Sequence, residues 1–183
     1  MNSLKLIAVS IFVFFSSFSF AGNDVYKLKQ GDAVFVSVYG EEALQREVRV
    51  LPDGSITFPL AGSLSVVNLS SSEVEKQLTE KLKEYLPEPQ VTVLVSSIEG
   101  NRIFVVGKVL KPGAILLTGP TTALQALSAS GGFDRFAHLN DIKVLRVLDG
   151  STQVIPVKYE SLLRGEDLAS NVQLEAGDTI VVP

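Results

Sequence analysis

The sequence predicts an α+β chain folded as two consecutive blocks, and three observations carry that expectation. Residues 102–132 run strand, Pro112-Gly113 turn, strand, and a helix ended by Gly131 and Gly132. Upstream, one strongly capped amphipathic helix stands among β-branched runs. Between the two lies Glu99-Gly100-Asn101, polar and glycine-bearing, which reads as a boundary between strand-rich segments.

In the first block, residues 33–39 are rich in Val, Phe and Tyr and follow Gly31-Asp32, so they read as a buried strand. Residues 48–51 and 55–58 flank Pro52-Asp53-Gly54, where glycine accepts positive φ and proline presets the turn, and the pattern predicts that these two runs pair as a hairpin. Pro59 and Gly62 are expected to end its second strand. The helix is expected over residues 71–86. Ser70 as N-cap with Glu73 forms a capping box, and Leu69 is placed to staple against Val74. Val74, Leu78, Leu82 and Tyr85 or Leu86 share a face, and Pro87 stops the run. Glu75, Lys76, Lys83 and Glu84 mix signs on the other side, the pattern of a solvated face. Residues 91–95 form the next strand.

The second block opens on residues 103–106, turns through Lys111-Pro112-Gly113 and returns over residues 114–117. Thr122 with Gln125 offers another capping box, Leu124 and Leu127 a short apolar face, and Gly131 suits the left-handed position that closes a helix. Residues 142–147 and 152–157 are expected to pair across Asp149-Gly150, and residues 159–164 form a short turn ending at Gly165. One phrase occurs twice: Leu28-x-x-Gly31-Asp32-x-Val34-x-Val36 and Leu174-x-x-Gly177-Asp178-x-Ile180-x-Val182. Gly turns the chain, Asp can bond the neighbouring backbone, and the alternating apolar residues enter a sheet.

Residues 1–21 read as a cleaved secretory signal, with Lys5 for charge, an apolar run over residues 6–15 and Ser19-Phe20-Ala21 as the cleavage site. That run is shorter than the roughly 20 residues a spanning helix needs. Without its signal the chain carries about −5 net charge, which argues against nucleic acid as a partner. Cysteine is absent, so a thiol-linked lipid, a disulfide and a thiolate metal site are all excluded. The expected location is a periplasm-like compartment, with any outer-membrane association made through a partner.

Little chemistry is written in the chain. His138 is the sole imidazole, no Gly-x-Ser-x-Gly run is present, and no phosphate or calcium loop occurs. His138 reads as an ordinary loop residue. No catalytic residue, cofactor site or metal site is assigned, and a non-enzyme is expected. Tyr26, Tyr39, Phe133 and Phe136 lie near turns or strand ends and are the candidates for stacking on sugar rings; no tryptophan offers a stronger platform.

At these residues the chain resembles the polysaccharide biosynthesis and export family, the Wza-type outer-membrane polysaccharide export proteins. The first match comprises Tyr26-x-Leu28-x-x-Gly31-Asp32-x-Val34, Val50-x-x-Asp53-Gly54-x-Ile56-x-x-Pro59-x-x-Gly62, the capped helix, and Pro89-x-Val91-x-Val93. It is similar to the family's export domain, here residues 24–98. The second comprises Val106-Gly107-x-Val109-x-x-Pro112-Gly113, residues 126–132, and Gly177-Asp178-x-Ile180. It resembles one soluble-ligand-binding β-grasp (SLBB) domain, here residues 102–183. Gly31, Asp32, Asp53, Gly54, Gly107, Pro112, Gly113, Gly131, Gly132, Gly177 and Asp178 are expected to set the fold rather than perform chemistry.

The resemblance implies a ring-forming homo-oligomer through which polysaccharide leaves the cell, working with an inner-membrane polysaccharide co-polymerase. Larger members carry a lipidated cysteine, further β-grasp domains and a C-terminal amphipathic helix that lines the pore. Their absence here leads to the expectation of a periplasmic component that links the co-polymerase to a separate outer-membrane β-barrel protein. The alternative reading is a periplasmic glycan-binding or sensing module, and a third is a glycan-modifying enzyme.

Overall fold

The computed structural model describes residues 25–148 and 150–183. The expected signal, residues 1–21, and Asp149 of the Asp149-Gly150 turn lie outside the described residues. The architecture is α+β, with two separate apolar cores in sequence order.

The first core is built on β1 (Ala33–Val38), flanked antiparallel by β2 (Arg46–Arg49) and β5 (Val91–Ser97). Alternation places Val34, Val36 and Val38 inward, all fully buried. A two-stranded ribbon, β3 (Ser55–Phe58) with β4 (Gly62–Ser65), contributes Ile56, Phe58 and Leu64. Helix α1 (Ser71–Leu82) closes the core with Val74, Leu78 and Leu82, four residues apart and all buried. Its capping box forms as expected: the Glu73 carboxylate accepts from the Ser70 amide at 2.7 Å, and the Ser70 hydroxyl accepts from the Glu73 amide at 3.3 Å.

Four expectations for this block are corrected. The turn at Pro52-Asp53-Gly54 forms, with the Gly54 amide donating to Leu51 O at 2.9 Å, but its flanks do not pair as a hairpin. Residues 46–49 join β1, and residues 55–58 pair instead with β4; Gly62, expected to help end the strand of residues 55–58, begins β4. A tight turn fixes local direction; the strand with the better apolar neighbour takes the ladder. The helix stops at Leu82, not residue 86, and the chain continues through a turn in which the Leu86 amide donates to Leu82 O at 2.8 Å. The pyrrolidine of Pro87 disfavours helical backbone just before it, while Leu86 still packs on the core. Glu75 is not merely solvated: its carboxylate accepts from the Val93 amide at 2.9 Å, covering part of the β5 edge.

The second core lies beneath a five-stranded sheet of order β7-β6-β10-β8-β9. Its strands are β6 (Arg102–Gly107), β7 (Gly113–Leu116), β8 (Ile142–Leu148), β9 (Ser151–Val157) and β10 (Thr179–Val182). β6–β7 and β8–β9 are antiparallel hairpins, as expected, and β10 enters between them, parallel to β6 and antiparallel to β8. This is the β-grasp arrangement. Helix α2 (Ala123–Ala129), capped by Thr122 and Gln125, lays Ala123, Ala126 and Leu127 against Ile103, Val105, Ile142, Val144 and Ile180. Leu124, expected beside Leu127, is only half-buried. Residues 159–164 form a short helix, α3 (Tyr159–Arg164), that buries Leu162 and is closed by Gly165 at φ 74°. Among the described residues no helix is long and apolar enough to cross a membrane.

Candidate functional site

The two Gly-Asp phrases fold into the same turn. Gly31 and Gly177 take φ of 90° and 91°, a region closed to most side chains. The Asp32 amide donates to Lys29 O at 3.2 Å and the Asp178 amide to Glu175 O at 3.1 Å. Each carboxylate reaches back to the residue three before it: Asp32 Oδ2 accepts from the Lys29 amide and Asp178 Oδ2 from the Glu175 amide, both at 2.8 Å. Both aspartates are essentially inaccessible to water. Side-chain-to-backbone bonding predicted from the sequence therefore holds at both positions.

What differs is the third partner. Asp32 accepts from the Tyr26 hydroxyl at 2.6 Å and from the Gly100 amide at 2.8 Å. Burial, then the hydrogen bond and charge of Asp32, push the Tyr26 phenol well above its ordinary range. Asp178 instead takes a two-pronged bond from Arg146, Nε at 2.9 Å and Nη2 at 2.7 Å. Arg146 also bonds Glu175 and donates to Gln173 O at 2.9 Å. The hydrogen bonds it donates to Asp178 raise the guanidinium pKa against the opposing effect of burial.

The Asp32 cluster sits where the blocks meet. Lys29 Nζ donates to Asn101 Oδ1 at 2.9 Å, and Asn101 Nδ2 donates to Leu117 O. Tyr26, Asp32, Gly100, Asn101 and Leu117 thus form one polar seam running from the first sheet into the second. Beside it opens a groove of about 400 Å³, bordered by Tyr26, Lys29, Asn101, Pro120 and Glu175.

The other residues expected to set the fold occupy turns and crossings. Asp53 Oδ1 accepts from the Ser55 hydroxyl at 2.7 Å and amide at 2.9 Å, which holds its carboxyl below the usual range. Gly54 has φ 82°, and a Cβ there would meet Val67 at 2.9 Å. Gly107 passes so close to β10 that a Cβ would lie 2.0 Å from Val182 O. Pro112 and Gly113 lead into β7, and Gly131 and Gly132, both at positive φ, end α2.

The four aromatic candidates part company. Tyr26 packs on the first core and is committed to Asp32, and Phe133 meets Tyr159 edge to face at 4.6 Å within the second. Tyr39 and Phe136 are on the surface, 82% and 59% exposed. Phe136 carries the Arg135 guanidinium at 4.5 Å and Lys108 Nζ at 5.7 Å. Tyr39 stands over a groove of about 410 Å³. His138 is an exposed loop residue whose amide donates to Pro183 O at 2.8 Å.

A third surface is the outer face of the five-stranded sheet. Register aligns Phe104, Thr179, Leu145 and Val154 in one row across four strands. Phe104, Val106, Leu116, Val147 and Val154 are all exposed, an apolar area that no element of the described chain covers.

Sequence reasoning missed Arg146 and the pairing of Tyr26 with Asp32. Only the repetition of Gly-Asp hinted that each buried carboxylate needs a donor elsewhere.

Residues 21–96 match the family described as polysaccharide biosynthesis/export protein, and residues 101–182 match the SLBB domain. Among curated proteins the chain is 33% identical over 130 residues to "EPS I polysaccharide export outer membrane protein EpsA" of Ralstonia solanacearum, covering 70% of this chain and 34% of that protein. It is 31% identical over 165 residues to "Polysialic acid transport protein KpsD" of Escherichia coli, covering 87% and 28%. "Capsule polysaccharide export protein BexD" of Haemophilus influenzae is 24% identical over 128 residues, covering 70% and 31%. The chain thus spans about a third of the length of the curated relatives it matches. With an export block and an SLBB block in tandem over nearly all its described residues, this chain belongs to the polysaccharide biosynthesis/export family.

Proposed function

We propose that this chain is a non-enzymatic periplasmic component of a polysaccharide export machine, serving exopolysaccharide or capsule. In this reading residues 1–21 are a cleaved signal, and residues 24–98 and 102–183 are the two domains of the mature protein. Copies assemble into a ring that forms or completes a conduit between an inner-membrane co-polymerase and an outer-membrane β-barrel protein. The observation that carries the reading is the tandem of the two family blocks, joined by the Asp32–Gly100 seam. The uncovered sheet face around Phe104 and Val154 supports association, because burying such a face is worth roughly 25 cal/mol per Å² of apolar area.

The test is the amount and location of polysaccharide in cells lacking the chain and in cells where it is restored. Loss of exterior polymer, with polymer trapped inside or synthesis shut down, is the expected result. Normal secretion in its absence would remove the conduit.

A further inference from the structure

We propose that the groove under Tyr39 is a subsite for an uncharged hexopyranose unit of the transported polymer. The inference rests on the export reading for its ligand class and adds a location and a charge preference.

Ser37 and Thr92 are directly opposed across β1 and β5, so both hydroxyl-bearing side chains stand on one face and form the floor. Gln90 and Gln45 bring amide groups to the walls, and among the described residues Glu42 is the one charged group in the lining. The backbone there is set: the Tyr39 amide donates to Gln90 O at 2.9 Å, and the Gln45 amide to Glu42 O at 3.1 Å. Leu44, buried in the first core, anchors the wall that carries Glu42 and Gln45. Tyr39 itself is 82% exposed.

Each feature suits a sugar. Sugar hydroxyls donate and accept at once, and side-chain amides and hydroxyls answer both needs. A flat, accessible phenol ring offers a surface for the C–H face of a pyranose. The volume, about 410 Å³, falls in the lower range of small-molecule sites. Among the described residues no Lys or Arg lines the groove while Glu42 does, so a carboxylate- or phosphate-bearing sugar meets repulsion without compensation.

The probes are maltohexaose, cellohexaose and β-1,4-galactohexaose, against oligogalacturonate of the same length, titrated into isotope-labelled protein and followed by amide shifts. At least one neutral hexamer should shift the amides of Tyr39, Gly40, Gln45 and Gln90 with weak affinity, and oligogalacturonate should bind there about tenfold less well. Tyr39→Ala should abolish these shifts. Tyr39→Phe, which keeps the ring, should bind within about twofold and guards against a folding defect in the alanine variant. No shift with any neutral hexamer, shifts centred elsewhere, or stronger binding of oligogalacturonate would each overturn the subsite. Polymer location in cells restored with Tyr39→Ala, set beside the unmodified chain, separates failures. Restoration by the unmodified chain upholds export even if the subsite fails, whereas normal secretion by cells lacking the chain sinks the export reading itself.

Discussion

Asp32, in the turn leading into β1, accepts the backbone N–H of Gly100 at 2.8 Å across 68 residues of chain, and that bond reaches from one core to the threshold of the other. The same carboxylate holds Tyr26 and Lys29. Replacing Asp32 by Ala takes the acceptor from three part-buried donors around a buried position, and a loss of roughly 2–3 kcal/mol is expected. Urea unfolding gives the loss, and faster amide exchange at Gly100 would show that the seam has opened. Exchange at Gly100 unchanged from the parent would refute the linking role.

Arg146→Met should be costlier than its partial exposure suggests, because it leaves the buried carboxylate of Asp178 without its cationic partner. About 3 kcal/mol is expected. Asp178→Asn combined with Arg146→Met should cost less than the two single changes added together, since the pair is removed as a unit. Strict additivity in a double-mutant cycle would mean that Arg146 stabilises by packing alone.

Glycines in similar conformations should respond differently to alanine. At Gly131, φ is 80° and the nearest atoms to a new Cβ are ordinary contacts at 3.5 Å, so only backbone strain of about 1–2 kcal/mol applies. At Gly107 a Cβ would collide with the Val182 carbonyl at 2.0 Å, and β6 would have to part from β10. Gly107→Ala should therefore be the more damaging by a clear margin in thermal unfolding. Equal effects would show that β10 yields easily.

Acid should loosen the start of α1. Glu73 is held below its ordinary pKa first by the Ser70 amide and next by the Ser70 hydroxyl. A carboxyl whose pKa is depressed on folding stabilises above its unfolded pKa, and that contribution disappears as pH falls through the folded value. Stability followed between about pH 5 and 3 should fall less steeply in Glu73→Gln, which keeps an acceptor but cannot titrate. Parallel curves for the two proteins would exclude Glu73 from the acid response.

Much of the architecture was legible because its signals are local. Two capping boxes, the apolar spacing of Val74, Leu78 and Leu82, and the runs beginning at Ala33 and Ile142 each lie within a dozen residues. β4 was invisible: Gly62, Ser63 and Ser65 have little strand preference, and the strand exists because Leu64 is buried opposite Ile56. The partner of residues 55–58 was misread for the same reason, since a turn names its ends but not the sheet each end will join. For the surface, sequence offered four aromatics on equal terms. Only packing separates Tyr26 and Phe133, spent on the cores, from Tyr39 and Phe136, left facing water.

The position of β10 decides the order in which the molecule can mature. A chain delivered from its N-terminus can complete the first core once β5 has emerged, because among the described residues none of that core comes from beyond Val93. The second cannot: Ile180 and Val182 belong to its middle strand, and until they arrive β6 and β8 face each other across a gap, with apolar edges open to any other strand. A lesion that removes only these closing residues would excise the keystone and not a fringe, leaving a finished first half attached to an adhesive, half-built second one.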